Sequence, residues 1–477
     1  MEQTEDQSPR SPFAINNIRC FIFFRIFFNA RFYYPIFTIL FIDFGLTLEQ
    51  FALLNVVWAA TIVLLEVPSG ALADIVGRKN LLVFAGILMV IEMGLLCVVP
   101  VGYSRLLFAI FLFNRVLSGT AEAAASGADE ALAYDTLKKE GDINDWSLVL
   151  EKQMRFQSIA YIGAMTLGAA VYDPALMQKF ADSLGLKVVL TQAVTLRFPI
   201  YLTLVMAVLT LITTLRMREI NNRAEECLDL SGCGPTVGDA FKLTFQAGRW
   251  ILKTPFALVI IAFGFLFDHV IRMLLTLNSQ YYREIQLPEA SFGLIGSAMA
   301  IVGLVIPRLA LYLTRTQTPV KNLAILSFFT LAGLTGMTFF FPYIGVIPAM
   351  MLSAIMMMTH FFGSHYLNRI TPSHQRATIL SFKGLSYNLA YGGIGLIYSL
   401  LLARLKISAA GRPGMIGDGL ESLVFRQSIG YFPWYFMLML LLLSIFAVAW
   451  LRRPGASMKP EETETINGDE ELDHWKK

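Results

Sequence analysis

The feature that most limits this chain is a succession of apolar windows, running almost end to end, each long enough for a helix to cross a bilayer. A helical crossing needs about 20 apolar residues, and separating the windows at their polar turns predicts about twelve helices. In the first half they run approximately Ile18–Ile42, Phe51–Ser69, Leu81–Val99, Arg105–Ser126, Gln153–Tyr172 and Arg197–Leu215. In the second half they run Pro255–Tyr281, Ser291–Leu313, Leu323–Phe341, Ile344–Leu367, Ala377–Leu402 and Tyr431–Leu451. Hydrophobic residues make up 56% of the 477 and charged ones 15%, which is too apolar for a soluble globule of this length. A membrane barrel would show short alternating strands instead. The expectation is an all-α polytopic membrane protein.

An even number of crossings puts both termini on one side, and the basic residues say which. Arg78, Lys79, Arg315, Lys321, Arg369 and Arg376 fall in short turns on the side of the termini, and Lys138, Lys139, Arg216, Arg218, Arg223, Lys242, Arg249 and Lys253 in longer ones. The opposite turns are poorer, although Lys179, Lys187, Arg404, Lys406 and Arg412 lie there. Both termini are therefore expected in the cytoplasm, and the protein in the cell (plasma or inner) membrane. A formal net charge of +3 is accounted for by this topology and does not imply nucleic acid. The start of the chain, polar and acidic, is not a signal peptide. Residues 1–17 read as a cytoplasmic tail, 18–216 as a six-helix bundle, 217–254 as a cytoplasmic linker, 255–451 as a second six-helix bundle and 452–477 as a disordered tail. Within the linker, Val237 to Leu252 spaces apolar residues among Lys242 and Arg249 as an amphipathic surface helix does.

Ionisable side chains near the bilayer centre are costly, so each needs a partner or a watery cavity. Here they concentrate on every third helix. The first carries Arg25, Asn29 and Arg31; the fourth Arg115 and Glu122, with Asp129 and Glu130 just beyond; the seventh Asp268, His269 and Arg272; the tenth His360 and His365. If the chain is four three-helix units, these are the leading members of each, and repeat-built transporters hold their substrate at the mid-membrane repeat interface. Arg115, Ser118, Glu122, Ser126 and Asp129 share one helix face; Arg115 pairing with Glu122, or with another acid, is the purely structural alternative. Asp268 and Arg272, one turn apart, can neutralise each other. Glu92 lies mid-span on the third helix. Glu66, before Pro68 on the second, is read as one partner of a gating pair. Lys383 lies on a stripe with Tyr387 and Tyr391, beside Asn388, and is expected to snorkel.

Between the second and third windows lies Gly70-Ala71-Leu72-Ala73-Asp74-Ile75-Val76-Gly77-Arg78-Lys79, too short a segment for anything but an immediate reversal. This Gly-x-Leu-Ala-Asp-x-x-Gly-Arg-Lys run resembles the signature between helices two and three of major facilitator superfamily transporters. The resemblance implies two six-helix bundles of inverted three-helix repeats around a central cavity lined by helices one, four, seven and ten. It also implies that Asp74 meets helix eleven, near Arg376 to Thr378. From the residues themselves, Gly70 and Gly77 permit close approach and unusual backbone angles. Asp74 can pair with Arg78 or face the positive end of a neighbouring helix. The corresponding segment of the second half, Tyr312 to Gln317, lacks the glycines and the aspartate. Asn114 to Gly119 resembles the Arg-x-x-x-Gly pattern on the fourth helix of proton-coupled members, where the arginine is associated with proton transfer.

These features lead to a secondary transporter of a small organic solute, working by rocking of two halves, acting as a monomer and coupled to protons. Glu122 and Asp268 are the candidate carriers, with Arg115 beside them, because a low dielectric favours the protonated carboxyl. Asn29, Arg31, Arg272, His360 and Asn388 are candidates for contact with substrate; Gly70, Asp74, Gly77, Arg78, Lys79 and Glu66 form the candidate gate. The methionine-rich stretch Met351 to Phe362 suits a lipophilic solute and hence efflux. The fifth helix, however, carries Gly163 and Gly168 without the Gly-Pro pair of the antiporter motif. Arg31 and Arg115 suit import of an organic anion equally well, and a lipid-handling transporter is a further alternative. No phosphate-binding loop, zinc-protease or serine-hydrolase motif occurs, and His360, His365 and His374 are not spaced as a metal site. Cys20, Cys97, Cys227 and Cys233 are scattered. No cofactor, metal or catalytic residue is expected, which leaves a membrane enzyme or a non-transporting sensor as the alternative of another class.

Overall fold

A computed structural model describes residues 11–102, 104–220, 237–371, 376–410 and 418–451. The N-terminal tail through residue 10, linker residues 221–236 and the C-terminal tail from residue 452 lie outside the described residues, as does His374. Among the described residues the secondary structure is helical, with three short 3-10 turns and no strand. The first half comprises α1 (Asn16–Asn29), α2 (Phe37–Phe44), α3 (Leu48–Val76), α4 (Arg78–Val98), α5 (Arg105–Ala125), α6 (Ala128–Glu140), α7 (Trp146–Tyr172), α8 (Pro174–Ser183), α9 (Gln192–Thr195) and α10 (Phe198–Arg216). The second comprises α11 (Val237–Lys253), α12 (Pro255–Thr276), α13 (Asn278–Glu284), α14 (Glu289–Thr316), α15 (Pro319–Thr338), α16 (Val346–Ile370), α17 (Arg376–Ala410) and α18 (Asp418–Leu451). Among the described residues ten helices are long and apolar enough to cross a bilayer, and the pair α7 and α8, bent by 83° at Asp173, makes an eleventh if it is one span.

The first predicted helix is in fact two. α1 ends at Asn29 and the chain turns through a 3-10 segment, Tyr34–Ile36, before α2. Pro35, which has no N–H to donate, stands at the start of that segment. Backbone polar groups at membrane depth must find partners within the protein. The amide of Phe32 donates to Thr203 Oγ1 of α10 at 3.1 Å, and those of Thr38 and Ile39 donate to Ser279 Oγ of α13 at 3.0 and 3.2 Å. The seventh predicted helix breaks similarly at Leu277, between α12 and α13. The fifth begins earlier, at Trp146; the eleventh runs on to Ala410, and the twelfth starts at Asp418 rather than Tyr431. Polar residues such as Asp418, Glu421, Ser422 and Arg426 hide these extensions from a hydropathy reading.

Several helix starts are set by local chemistry. Thr47 and Gln50 form a reciprocal capping box at α3, Ser104 caps α5, and Asp173 caps α8 with Pro174 at its first position. In lipid, helices associate by close packing, which small residues permit. A Cβ on Gly293 of α14 would lie 2.1 Å from the backbone oxygen of Met165, so α7 and α14 approach nearly backbone to backbone. This pair and α3 against α17 are the main seams between the halves. Within the first half an aromatic core of Phe37, Phe41, Phe44, Phe51 and Phe111 packs edge to face, with ring centres 4.7–5.5 Å apart.

Candidate functional site

Two charged clusters lie inside the helices, one in each half. In the first, the break after α1 points Arg31 inward, where it is almost wholly buried. Its Nη1 lies 3.3 Å from Glu92 Oε2 of α4 and its Nη2 3.2 Å from Glu122 Oε1 of α5. Arg115 Nη2 is 3.9 Å from Glu92 Oε1 and donates to Asn114 Oδ1 at 3.2 Å, while Asn114 donates to the Glu92 carbonyl at 3.0 Å. Both guanidinium groups also lie over rings, Arg31 over Phe28 and Arg115 over Phe37 and Phe41. Two arginines thus share two glutamates. The partner of Glu122 is Arg31, not the Arg115 that helix spacing suggested, and Glu92 takes the second arginine.

In the second cluster Asp268, fully buried on α12, accepts from Arg272 Nη2 at 2.7 Å and lies 2.9 Å from His360 Nε2 of α16. The expected pairing of Asp268 with Arg272 is present. Asp268 Oδ2 has no hydrogen-bond partner. Arg272 also donates to Asn388 Oδ1 of α17 at 2.9 Å and sits over the Tyr391 ring. Tyr391 in turn meets Trp58 of α3 edge to face across the seam. His269, the neighbour of Asp268, turns away to Tyr435 OH at 3.0 Å.

Between the halves lies a cavity of about 430 Å³ lined by α1, α3, α5, the start of α6 and one residue of α17. Its polar wall is Arg25, Asn29, Glu66, Glu122, Ser126, Asp129, Glu130 and Asn388; Phe24, Phe28 and Trp58 are among its apolar lining. Arg25 reaches Glu130 at 2.5 Å and also pairs with Asp129. Glu66, expected in a gating pair, lies on the cavity wall, and its Oε2 has no hydrogen-bond partner among the described residues. The lining helices are the first, second, fourth and eleventh crossings. Asp268, Arg272 and His360, on the seventh and tenth, are not in its lining, and Arg272 is joined to it by its bond to Asn388. The methionine-rich stretch of α16 does not line it either: Met351 packs toward Gly333 and Met357 toward Gly303, filling helix seams.

At the turn between α3 and α4, Gly77 has φ +99° and ψ 141°, a conformation nearly reserved for glycine. Arg78 pairs with Asp135 of α6, and the Lys79 amide donates to Glu219 Oε2 at 2.8 Å. Nothing approaches Gly70 within 4 Å of where a Cβ would stand, so no close approach requires it. The side chains of Asp74 and of Arg376 to Thr378 lie outside the described residues. Lys383, rather than reaching for the membrane surface, donates to Ser364 Oγ at 3.0 Å.

On the opposite face a group that the sequence did not single out closes the halves together. Asp43, at the end of α2, accepts two bonds of 2.8 Å from Arg283 of α13, and also binds the Tyr172 hydroxyl and Gln192. Arg283 reaches Glu289 of α14 at 2.5 Å as well. Asp173 Oδ2 accepts from the Ala290 amide at 3.2 Å. Each of these residues sits in an unremarkable polar turn, and only their convergence gives them meaning.

Two helical halves meeting along paired seams, each with a buried charged cluster, define a polytopic membrane protein. The Major Facilitator Superfamily model matches residues 19–395, and the chain belongs to that family. Its fold is similar to that of a bacterial homologue of the human lysosomal transporter Spinster, solved in an inward-facing and unoccupied conformation. The TM-score is 0.67 at 16% identity, covering 93% of this chain and 98% of the other. Nucleoside transporter NupG gives 0.66 at 12% identity, covering 92% and 99%, and a D-xylose-proton symporter 0.60 at 12%, covering 91% and 97%. None of the curated proteins compared is significantly similar in sequence. Family and fold make the chain a multi-pass membrane transporter of the major facilitator class and not an enzyme.

Proposed function

We propose that this transporter exchanges protons for a small organic solute carrying a cationic group, by alternating access, and that it acts as a monomer in the cell membrane. The observation that carries this reading is the charge of the cavity wall: Glu66, Glu122, Asp129 and Glu130 against Arg25 alone. An organic anion would need a surplus of positive charge there. Arg31 and Arg115 do not supply it, because Glu92 and Glu122 already hold them. Glu122 borders the cavity and binds Arg31, so a proton on Glu122 releases Arg31 to Glu92, and a bound cation competes with that proton. Proton and solute then occupy the same group in turn, which is the logic of exchange and favours efflux over symport.

The polar wall of the cavity extends to Asp129 and Glu130 at the start of α6, toward the face that carries the linker. Arg78, Lys79, Arg216, Arg218, Lys242, Arg249 and Lys253 gather on that face, which the positive-inside rule assigns to the cytoplasm together with both termini. The Asp43 and Arg283 contact closes the other face, so the conformation is inward-facing. Reconstituted protein should move cationic dyes against an imposed pH gradient. Glu122→Gln should abolish that pH-driven flux while sparing solute exchange. Transport of organic anions with cations ignored, or unchanged pH-driven flux in E122Q, overturns the reading.

A further inference from the structure

A second space, larger than the central cavity, lies on the outer side of the second half. It measures about 950 Å³, at the upper end of the range for small-molecule sites, about 300–1,000 Å³. α11, α12, α17 and α18 form its walls. Its floor is buried and apolar, with Ile251, Ile261 and Leu266, and ends at His269, whose ring is turned to Tyr435. Its rim is open toward the bilayer: Leu252, Leu389 and Leu442 are each more than half exposed. Among the described residues, the one Asp, Glu, Lys or Arg side chain that borders it is Arg249 of α11, which is exposed.

We propose that this groove is a binding site for an anionic phospholipid, its acyl chains along α12 and α18 and its headgroup on Arg249. Two observations select that occupant over the other apolar molecules of a membrane. First, α11 is amphipathic, and Lys242, Arg249 and Lys253 recur at intervals of seven and four, which sets them along one stripe of the helix. The opposite side supplies Gly248, packed against Phe382, and Ile251 to the groove. A helix of this kind lies in the interface, where a basic stripe meets lipid phosphate. Second, the apolar space begins directly beneath that stripe and runs inward, which matches the order of charge and hydrocarbon in a phospholipid. A free organic solute would have no need of both.

The site is separate from the central cavity and from proton movement, so its test is binding, not flux. The full-length protein, purified in detergent, is titrated with palmitoyl-oleoyl phosphatidylglycerol and, in parallel, with the phosphatidylcholine of the same chains. Bound lipid is counted by native mass spectrometry and thermal stability is followed. Phosphatidylglycerol should bind tightly enough to survive transfer and raise the unfolding temperature more than phosphatidylcholine does. Each basic group near the interface contributes about 1 kcal/mol to such binding, so Arg249→Gln should weaken it about fivefold, with Arg249→Lys retaining it. Ala262→Trp, which fills the groove without touching Arg249, should remove bound lipid of both kinds. Equal responses to the two lipids, an undiminished phosphatidylglycerol preference in R249Q, or undiminished binding in A262W overturns the proposal.

Discussion

Glu92 is the residue on which the interior of the first half turns. It is fully buried between two arginines, and removing one member of a buried charge network leaves the others uncompensated. Replacing it by leucine should lower thermal stability by about 3–5 kcal/mol. Thermal unfolding in detergent, scored against Glu130→Gln at the exposed edge of the cavity, would show this; equal losses in the two variants would refute it. Glu66 carries the reverse expectation. Its Oε2 is bound to nothing in the structure, so Glu66→Gln should leave the unfolding temperature nearly unchanged yet weaken apparent affinity for a cationic solute. A large stability loss with affinity intact would mean that Glu66 is structural. The sequence showed Glu92 as a mid-span acid and Glu66 as an acid near the end of the second helix, but not which of them has a partner, because the partners come from other helices.

Among the elements, the turn joining α3 to α4 and the break joining α1 to α2 do opposite jobs with the same currency of backbone geometry. Gly77 holds a positive φ that a side chain resists, and a Cβ there would meet the Glu219 carboxylate at 2.7 Å. Gly77→Ala should therefore cost about 1–3 kcal/mol, visible as a lower unfolding temperature, whereas Gly70→Ala, where there is open space, should cost nothing comparable. If the two variants behave alike, the glycine at 77 is not conformationally required. The turn was plain in the sequence from its glycines and its brevity. The break was not: the window Ile18–Ile42 is long enough for one crossing, and neither its polar residues Asn29 and Arg31 nor Pro35 says that the helix ends at Asn29. What permits the ending is Thr203 and Ser279, which take up the freed amides from α10 and α13.

At the scale of the whole molecule, one face is tied by a small number of polar contacts, and the seams of α3 with α17 and α7 with α14 are the surfaces that the proposed alternating access would use. Asp43 to Arg283 is the best-formed of these ties, two parallel bonds from a guanidinium to a carboxylate. A contact made in one conformation and lost in another sets the balance between them. Asp43→Asn should therefore raise the accessibility of a cysteine placed at Leu196, buried beside the tie, to a membrane-impermeant thiol reagent. Exchanging the two charges, Asp43→Arg with Arg283→Asp, should restore protection. Accessibility unchanged in D43N would show that the packed seams alone keep this face closed.

The order of hydropathy along the chain laid out most of the helices, and the Gly70 to Lys79 run pointed to the family, because each of these depends on residues adjacent in sequence. The concentration of charge on the first, fourth, seventh and tenth crossings was equally readable. Which acid meets which base, that the cavity is bounded by α3 and α17 while Asp268 stands one residue behind it, and that Asp43 and Arg283 join the halves are matters of contact between segments some tens to hundreds of residues apart. In a low dielectric such pairs are strong enough to dominate the interior, yet periodicity carries no trace of them, and only the folded bundle brings them together.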